Sequence, residues 1–126
     1  MAAKILVVED DDSLCELLRM HLAAVGYEVS TANDGISAGY QVLKNPPDLI
    51  LTDINMPNMN GFEFVAALKA DKTLPEIPVI FLTSVEGGDS RGRDLGAVGY
   101  LIKPVRADRL LELVAKYVPD GAIPIG

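Results

Sequence analysis

The sequence has one cysteine, Cys15, and one histidine, His21, among its 126 residues. A single cysteine excludes an internal disulfide and a metal cluster built on several thiolates. Zinc and copper sites draw mainly on histidine and cysteine, and neither residue type ends a predicted strand. We therefore interpret Cys15 as a packing residue of a helix, and His21 as a packing or boundary residue of the same helix.

Basic residues are also scarce. The chain has 11 lysines and arginines against 18 aspartates and glutamates, which gives a formal charge of -7. Nucleic acids and anionic membranes are bound by basic faces, so we expect neither as a partner of this domain. The opening residues, MAAKILVVEDDD, lack the apolar run of a signal peptide or membrane anchor. We expect a cytoplasmic protein whose acidic surplus suits the binding of cations.

A glycine-rich phosphate loop is missing as well. Dinucleotide-binding folds place Gly-x-Gly-x-x-Gly between the first strand and its helix, where backbone amides meet phosphate. Here that turn reads EDDDS, which repels phosphate unless a metal intervenes. We expect Asp12 or Ser13 to cap the first helix. For Asp11 and Asp12 a cap or a solvated surface is the favoured interpretation over metal ligation.

The chain does contain short apolar runs that alternate with helical patterns. The runs predict strands at Lys4–Val8, Glu28–Ala32, 49–53, 79–82 and 100–102. Helices are predicted between them and after the last one, where the pattern covers Ala107–Tyr117. Alternation of this kind predicts one α/β domain over 1–126, a (βα)5 unit with a doubly wound parallel sheet.

The helical patterns also predict which residues face the core. The first helix stops at Gly26, the second at Pro46, and the third runs from Gly61 to about Asp71. The residues predicted to point inward are Leu14, Leu17, Leu18, Leu22, Val25, Ala38, Val42, Leu43, Phe62, Val65, Leu68, Leu110, Leu111, Val114 and Val118, with Phe64 as a further candidate.

Polar residues follow four of the predicted strands. Glu9 and Asp10 end the first, Asp53 the third, Thr83 the fourth and Lys103 the fifth. Because ligands of doubly wound sheets gather at the carboxyl ends of the strands, we expect these groups to meet there. Three carboxylates repel one another unless a cation intervenes, and Mg²⁺ suits such oxygen ligands. The pattern therefore favours a magnesium site.

A carboxylate beside a metal, an ammonium and a hydroxyl suits phosphoryl transfer, in which the carboxylate forms an acyl phosphate. Taken alone, Asp53 is equally well explained as a cap of the following loop or helix. Lys103 and Thr83 each have an ordinary surface or strand-end interpretation, and only the combination favours the site. Pro104 allows a cis peptide bond, which would aim Lys103 into the cleft.

These motifs resemble the receiver domain of two-component response regulators, of the chemotaxis-regulator type. The resemblance rests on ILVVEDDD, DLILTDINMPNMNGFEF, VIFLTS and GYLIKP, which occur in that order and span nearly the whole chain. It implies a flavodoxin-like fold with strand order 2-1-3-4-5. It further implies Asp53 as phosphoacceptor, and Mg²⁺ held by Asp10, Asp53, the backbone carbonyl of Asn55 and, through water, Glu9. Thr83 and Lys103 would contact the phosphoryl group, and Tyr100 would be the aromatic residue that changes rotamer.

The resemblance implies a phosphorylation-dependent switch and not an enzyme beyond self-phosphorylation from small donors and autodephosphorylation. A histidine kinase or phosphotransfer protein would supply the phosphoryl group. The surface formed by the helix after Thr83, the fifth strand and the last helix would control an unidentified downstream protein or output domain, and could form a phosphorylation-linked dimer. One alternative is a phosphate-independent interaction module, which the intact acid, Thr83 and Lys103 set disfavours. Another is an aspartyl phosphatase, but Asn55 stands where its second general acid belongs.

One segment departs from the family pattern. Residues 86–96 contain four glycines, and glycine in a helix interior costs about 1 kcal/mol. We expect a short or frayed helix there, and hypothesise that it is mobile without phosphate and orders on activation. The tail 119–126, PDGAIPIG, does not resemble a long polar linker. That favours a stand-alone regulator, and a fragment of a longer one stays open.

Overall fold

A parallel sheet forms the centre of the computed structural model, which describes residues 3–56, 59–84 and 96–118. Its strands are β1 (Lys4–Val8), β2 (Glu28–Ala32), β3 (Leu49–Asp53), β4 (Val79–Thr83) and β5 (Gly99–Ile102), in the order β2-β1-β3-β4-β5. The described helices are α1 (Asp12–Ala24), α2 (Gly35–Lys44), α3 (Gly61–Ala70) and α4 (Ala107–Tyr117). The predicted fold and strand order are confirmed.

The sheet is covered by helices on both faces. Ile5 and Val7 of β1 pack into a core that includes residues of α1 and α4, whereas Leu6 and Val8 pack into a second core with residues of α2 and α3. Successive side chains of a strand point to opposite faces. A strand that is buried on both faces therefore needs an unbroken apolar run, which is the pattern that predicted β1, β3 and β4.

The helix ends correct one prediction. The cap of α1 is neither Asp12 nor Ser13 but Asp11, whose carboxylate accepts hydrogen bonds from the amides of Ser13 at 3.0 Å and Leu14 at 3.2 Å. A carboxylate in this position satisfies amides that have no partner within the helix. After α1 the chain turns at Gly26, whose φ of 99° lies in the region that glycine adopts most readily.

Two residues predicted to face the core do not. Leu17 of α1 is 46% exposed and Leu43 of α2 is 59% exposed. Each helix packs on the sheet through a narrow row of buried side chains. This row includes Leu18 and Leu22 in α1, and Val42 in α2. A further apolar residue beside that row points outward, and helical periodicity alone does not locate its edge.

Three sequence predictions lie outside the described residues. The helix expected after Thr83 and most of the glycine-rich segment fall in 85–95, and the tail falls in 119–126. The hypothesis that this segment orders on activation therefore stays a prediction. Within the described ranges, no helix has both the length and the apolar character needed to cross a bilayer.

Candidate functional site

The carboxyl ends of β1, β3 and β5 bring three charged side chains into contact. The ammonium of Lys103 lies 2.8 Å from Oε1 of Glu9 and 3.1 Å from Oδ2 of Asp53. β1 and β3 are adjacent in the parallel sheet, so the residues that end them share one edge. The chain reaches this edge again after β5, where the Lys103–Pro104 peptide bond is cis, as Pro104 allows.

These groups are held away from solvent. Glu9 is 0% exposed, and Asp53 and Thr83 are each 5% exposed, while Asp10 lies at the open rim of the cluster. The amide of Asp11 donates to Oε2 of Glu9 at 3.3 Å, and the amide of Ile54 donates to Oδ1 of Asp53 at 2.8 Å. Backbone donors thus fix both buried carboxylates while one face of the cluster stays accessible through Asp10.

Burial and mutual repulsion change the proton affinities in the cluster. Burial, together with the nearby carboxylates of Asp53 and Asp10, raises the pKa of Glu9 to about 7 against the opposing effect of Lys103. Burial lowers the pKa of Lys103, but Glu9 and Asp53 outweigh it and raise that pKa above its usual value. Lys103 therefore stays protonated. The three acids Glu9, Asp10 and Asp53 can carry more negative charge than this one ammonium neutralises.

The donor set fits a hard divalent cation. One carboxylate oxygen from each of Glu9, Asp10 and Asp53 lies within 4.8 Å of the others. Oε1 of Glu9 is fully buried and, apart from its ion pair with Lys103, accepts no hydrogen bond of normal geometry. Oxygen donors of this kind suit Mg²⁺, which keeps part of its water shell beside one or two carboxylates. Asn55, the further predicted ligand through its carbonyl, lies in the exposed loop after β3.

Thr83 ends β4, and Tyr100 lies on the neighbouring strand β5. The carbonyl of Thr83 accepts a hydrogen bond from the amide of Lys103 at 2.8 Å, which ties the ends of the two strands together. Tyr100 pairs with Phe81 across the strands, and the two ring centroids are 5.9 Å apart. The predicted switch aromatic is thus half-buried, on the strand next to the one that ends at Thr83.

Gly61 is a site residue that the sequence interpretation treated only as a turn and helix start. A Cβ atom there would lie 2.2 Å from the carbonyl oxygen of Asp53, and the Gly61 amide donates to the carbonyl of Ile54 at 2.8 Å. No side chain fits between α3 and β3 at this point. The signal available in the sequence was a glycine at the first position of a helix, where other residues are favoured on propensity.

Comparison with known proteins places the chain in a family. The model of the response regulator receiver domain matches residues 5–115. The polar-differentiation response regulator DivK of Brucella ovis is 34% identical over 123 residues, which cover 96% of this chain and 100% of DivK. The response regulator PleD of Caulobacter vibrioides is 43% identical over 107 residues, which cover 83% of this chain but only 24% of PleD.

Solved structures agree with this assignment. The chemotaxis response regulator CheY4 of Vibrio cholerae superposes with a TM-score of 0.88 at 35% identity, covering 93% of this chain and 99% of CheY4. The chain therefore belongs to the response regulator receiver domain family.

Proposed function

We propose that this chain is a phosphorylation-dependent signalling switch in which Asp53 accepts the phosphoryl group, and that residues 1–126 act as one receiver domain. The observation that carries the proposal is the position of Lys103, whose ammonium touches both Asp53 and Glu9 at 3.1 and 2.8 Å. A cation held against a buried carboxylate at the carboxyl edge of a doubly wound sheet is the arrangement needed to receive an anionic phosphoryl group.

The reaction is a transfer between two nucleophiles. An oxygen of the Asp53 carboxylate attacks phosphorus, the bond from phosphorus to the donor nitrogen or oxygen breaks, and the donor keeps that electron pair. The product is an acyl phosphate on Asp53. Lys103 stays protonated and neutralises charge on the phosphoryl oxygens, and the hydroxyl of Thr83 donates to one of them.

Magnesium would be held by Asp10, Asp53 and the carbonyl of Asn55, with Glu9 acting through water. Bound there, Mg²⁺ supplies further positive charge to the phosphoryl oxygens. Glu9 contributes in a second way, because its ion pair with Lys103 positions the ammonium over Asp53. The buried acid thus orients the cation that contacts the acceptor.

The phosphoryl group acts on the rest of the molecule by adding charge at a buried point. Thr83 moves toward it, and Tyr100, which packs against Phe81, changes rotamer. The outward surface of β5 and α4 then changes its affinity for a downstream protein. The donor is a histidine kinase or a phosphotransfer protein, and small phosphodonors can substitute for it.

Two other functions have less support. A phosphate-independent interaction module has no need of the Asp53, Lys103 and Glu9 contacts. An aspartyl phosphatase needs a second general acid near the acceptor, and position 55 holds an amide instead.

Intact-protein mass spectrometry tests the proposal. The protein is incubated with Mg²⁺ and either acetyl phosphate or phosphoramidate, whose phosphorus–nitrogen bond is of the kind found in phosphohistidine. We expect the wild type and Asp48→Asn, a control at the opposite edge of the sheet, to gain one phosphoryl group. We expect Asp53→Asn to gain none. Phosphorylated Asp53→Asn, or a wild type that both donors leave unmodified, would contradict the proposal.

A further inference from the structure

The outer side of α2 carries large apolar side chains that face solvent. Ile36 is 48% exposed, Tyr40 is 71% exposed and Leu43 is 59% exposed, and together we call them the α2 ridge. Their spacing of four and three residues aligns them along one side of the helix. The opposite side, with Ala38 and Val42, is buried against the sheet. A helix that is apolar on both sides normally has a second packing partner.

An apolar groove lies directly beside the α2 ridge. It has a volume of about 290 Å³ and runs between α2 and α3, with Gly39, Ala67 and Leu74 among the residues that line it. A Cβ atom at Gly39 would meet nothing within 4 Å, so the floor of the groove is open at the middle of α2. A ridge and a groove side by side on one surface complement a second copy of the same surface across a two-fold axis.

The charges around the ridge favour the same partner. Residues 35–47 contain none of the 18 acids of the chain and one basic residue, Lys44, at the end of α2. Asp34 caps the start of α2 through the amide of Ser37 at 2.7 Å. If two α2 helices pack antiparallel, Lys44 of each copy comes to the Asp34 end of the other, and the helix dipoles oppose each other favourably. Since each copy carries a charge of -7, the lack of acids in residues 35–47 lowers the repulsion between two copies here, and Asp71 is an acid that lines the groove.

We propose that the α2 ridge is a self-association surface, on which a second copy of this chain packs its α2 antiparallel about a two-fold axis. Tyr40 of each copy enters the groove between α2 and α3 of the other. Large aromatic side chains seated in pockets are the usual anchors of such interfaces. The association does not depend on phosphorylation of Asp53, so it stands or falls separately from the proposed function.

Sedimentation equilibrium without any phosphodonor, from micromolar to millimolar protein, tests this inference. We expect the average mass of the wild type to rise from that of one chain toward that of two. Tyr40→Glu and Leu43→Glu should weaken association by more than about tenfold, because each places a charge in the buried centre of the interface. Met20→Glu is the matched control, since Met20 is 54% exposed on α1 and receives the same charge.

The charge arrangement predicts a second result. Lys44→Glu should weaken association less than the ridge variants do, and high salt should restore part of the loss. A wild type that stays monomeric at millimolar concentration overturns the inference. So does a dimer that Tyr40→Glu leaves intact, or one that Met20→Glu disrupts equally. Circular dichroism of each variant verifies that it is folded.

Discussion

The two edges of the sheet carry the same kinds of charged residue and hold them differently. At the carboxyl edge Glu9 and Asp53 are buried and share the ammonium of Lys103. At the amino edge Glu28 and Asp48 are exposed, and Asp48 accepts a hydrogen bond from the amide of Lys4 at 2.7 Å. Solvated charges cost little to keep, whereas buried ones cost free energy that only their partners offset.

The two edges are therefore expected to respond differently to substitution. The acids at the amino edge, Glu28 and Asp48, lie at or just before the start of a strand and face solvent. At the carboxyl edge, burial and the neighbouring carboxylates raise the pKa of Glu9 to about 7. Concentrated, poorly compensated charge is a common property of sites that bind or transfer charged groups. The carboxyl edge is therefore where changes should affect phosphorylation, and the amino edge is where they should affect only stability.

The largest difference between the edges is expected for their lysines. Lys103→Met removes the cation that touches Asp53, and we expect phosphorylation by acetyl phosphate to slow by about 10²-fold or more. Lys4→Met, at the amino edge, should leave the rate unchanged. Initial rates from intact-mass spectrometry measure both. Equal phosphorylation rates in the two variants would show that Lys103 does not assist phosphoryl transfer.

The pH dependence of stability should also distinguish the edges. Since the folded-state pKa of Glu9 is raised from 4.5 to about 7, folded protein keeps a proton that unfolded protein releases in this window. Its contribution to stability is full below about pH 4.5 and is lost as the pH rises through 7, on the order of 3 kcal/mol without metal.

Urea unfolding in EDTA between pH 5 and 8 measures this effect. Glu9→Gln should flatten the fall in stability, and Glu28→Gln, at the exposed edge, should not. Mg²⁺ should stabilise the wild type most at the upper end of the range, where Glu9 is ionised. A profile of Glu9→Gln parallel to that of the wild type would show that Glu9 is not the group responsible.

Tight packing behind the acceptor gives a third comparison. Gly61→Ala forces a methyl group against the carbonyl of Asp53 and should cost about 1–3 kcal/mol of unfolding free energy, as overpacking does. Gly39→Ala, in the open middle of α2, should be neutral or stabilising by up to about 1 kcal/mol. Urea unfolding at micromolar protein compares them, and a destabilised Gly39→Ala with an unaffected Gly61→Ala would reverse the expected order.

The smallest effect is expected at the amino edge. The hydroxyl of Tyr27, which is 4% exposed, donates to the carbonyl of Val118 at 2.7 Å. Tyr27→Phe should cost about 1 kcal/mol of stability and leave the phosphorylation rate unchanged. Tyr40→Phe is the exposed control and should change stability by less than about 0.5 kcal/mol. A slower phosphorylation rate in Tyr27→Phe would show that the two edges are coupled.

Sequence reasoning predicted the fold well because the sheet imposes a simple pattern. Strands buried on both faces must be apolar throughout, and this pattern predicted the bounds of β1 to the residue. The bounds of β2 were also predicted correctly, although this edge strand is largely exposed. The strand order came from the family resemblance, since periodicity does not say which strands are neighbours. The prediction that Leu17 and Leu43 face the core was wrong. Which residues lie at the margin of a helix's buried face depends on how the helix is rotated on the sheet.

The site was predicted in composition but not in detail. The run EDDD has four adjacent acids, and only the backbone path after β1 decides that Glu9 is buried, Asp10 lies at the rim and Asp11 caps α1. The close contact between Gly61 and Asp53 also joins residues that only the folded chain brings together. The sequence predicts which residue types form the site, whereas the role of each acid follows from its position in the folded chain.

Borohydride trapping tests most directly whether Asp53 alone receives the phosphoryl group. Borohydride reduces an aspartyl phosphate to homoserine, so the modified position can be located by peptide mass spectrometry after phosphorylation with Mg²⁺ and acetyl phosphate. We expect homoserine at position 53 and unmodified aspartate at positions 10, 11 and 12. Reduction at any of these neighbouring acids, with position 53 unchanged, would contradict the account.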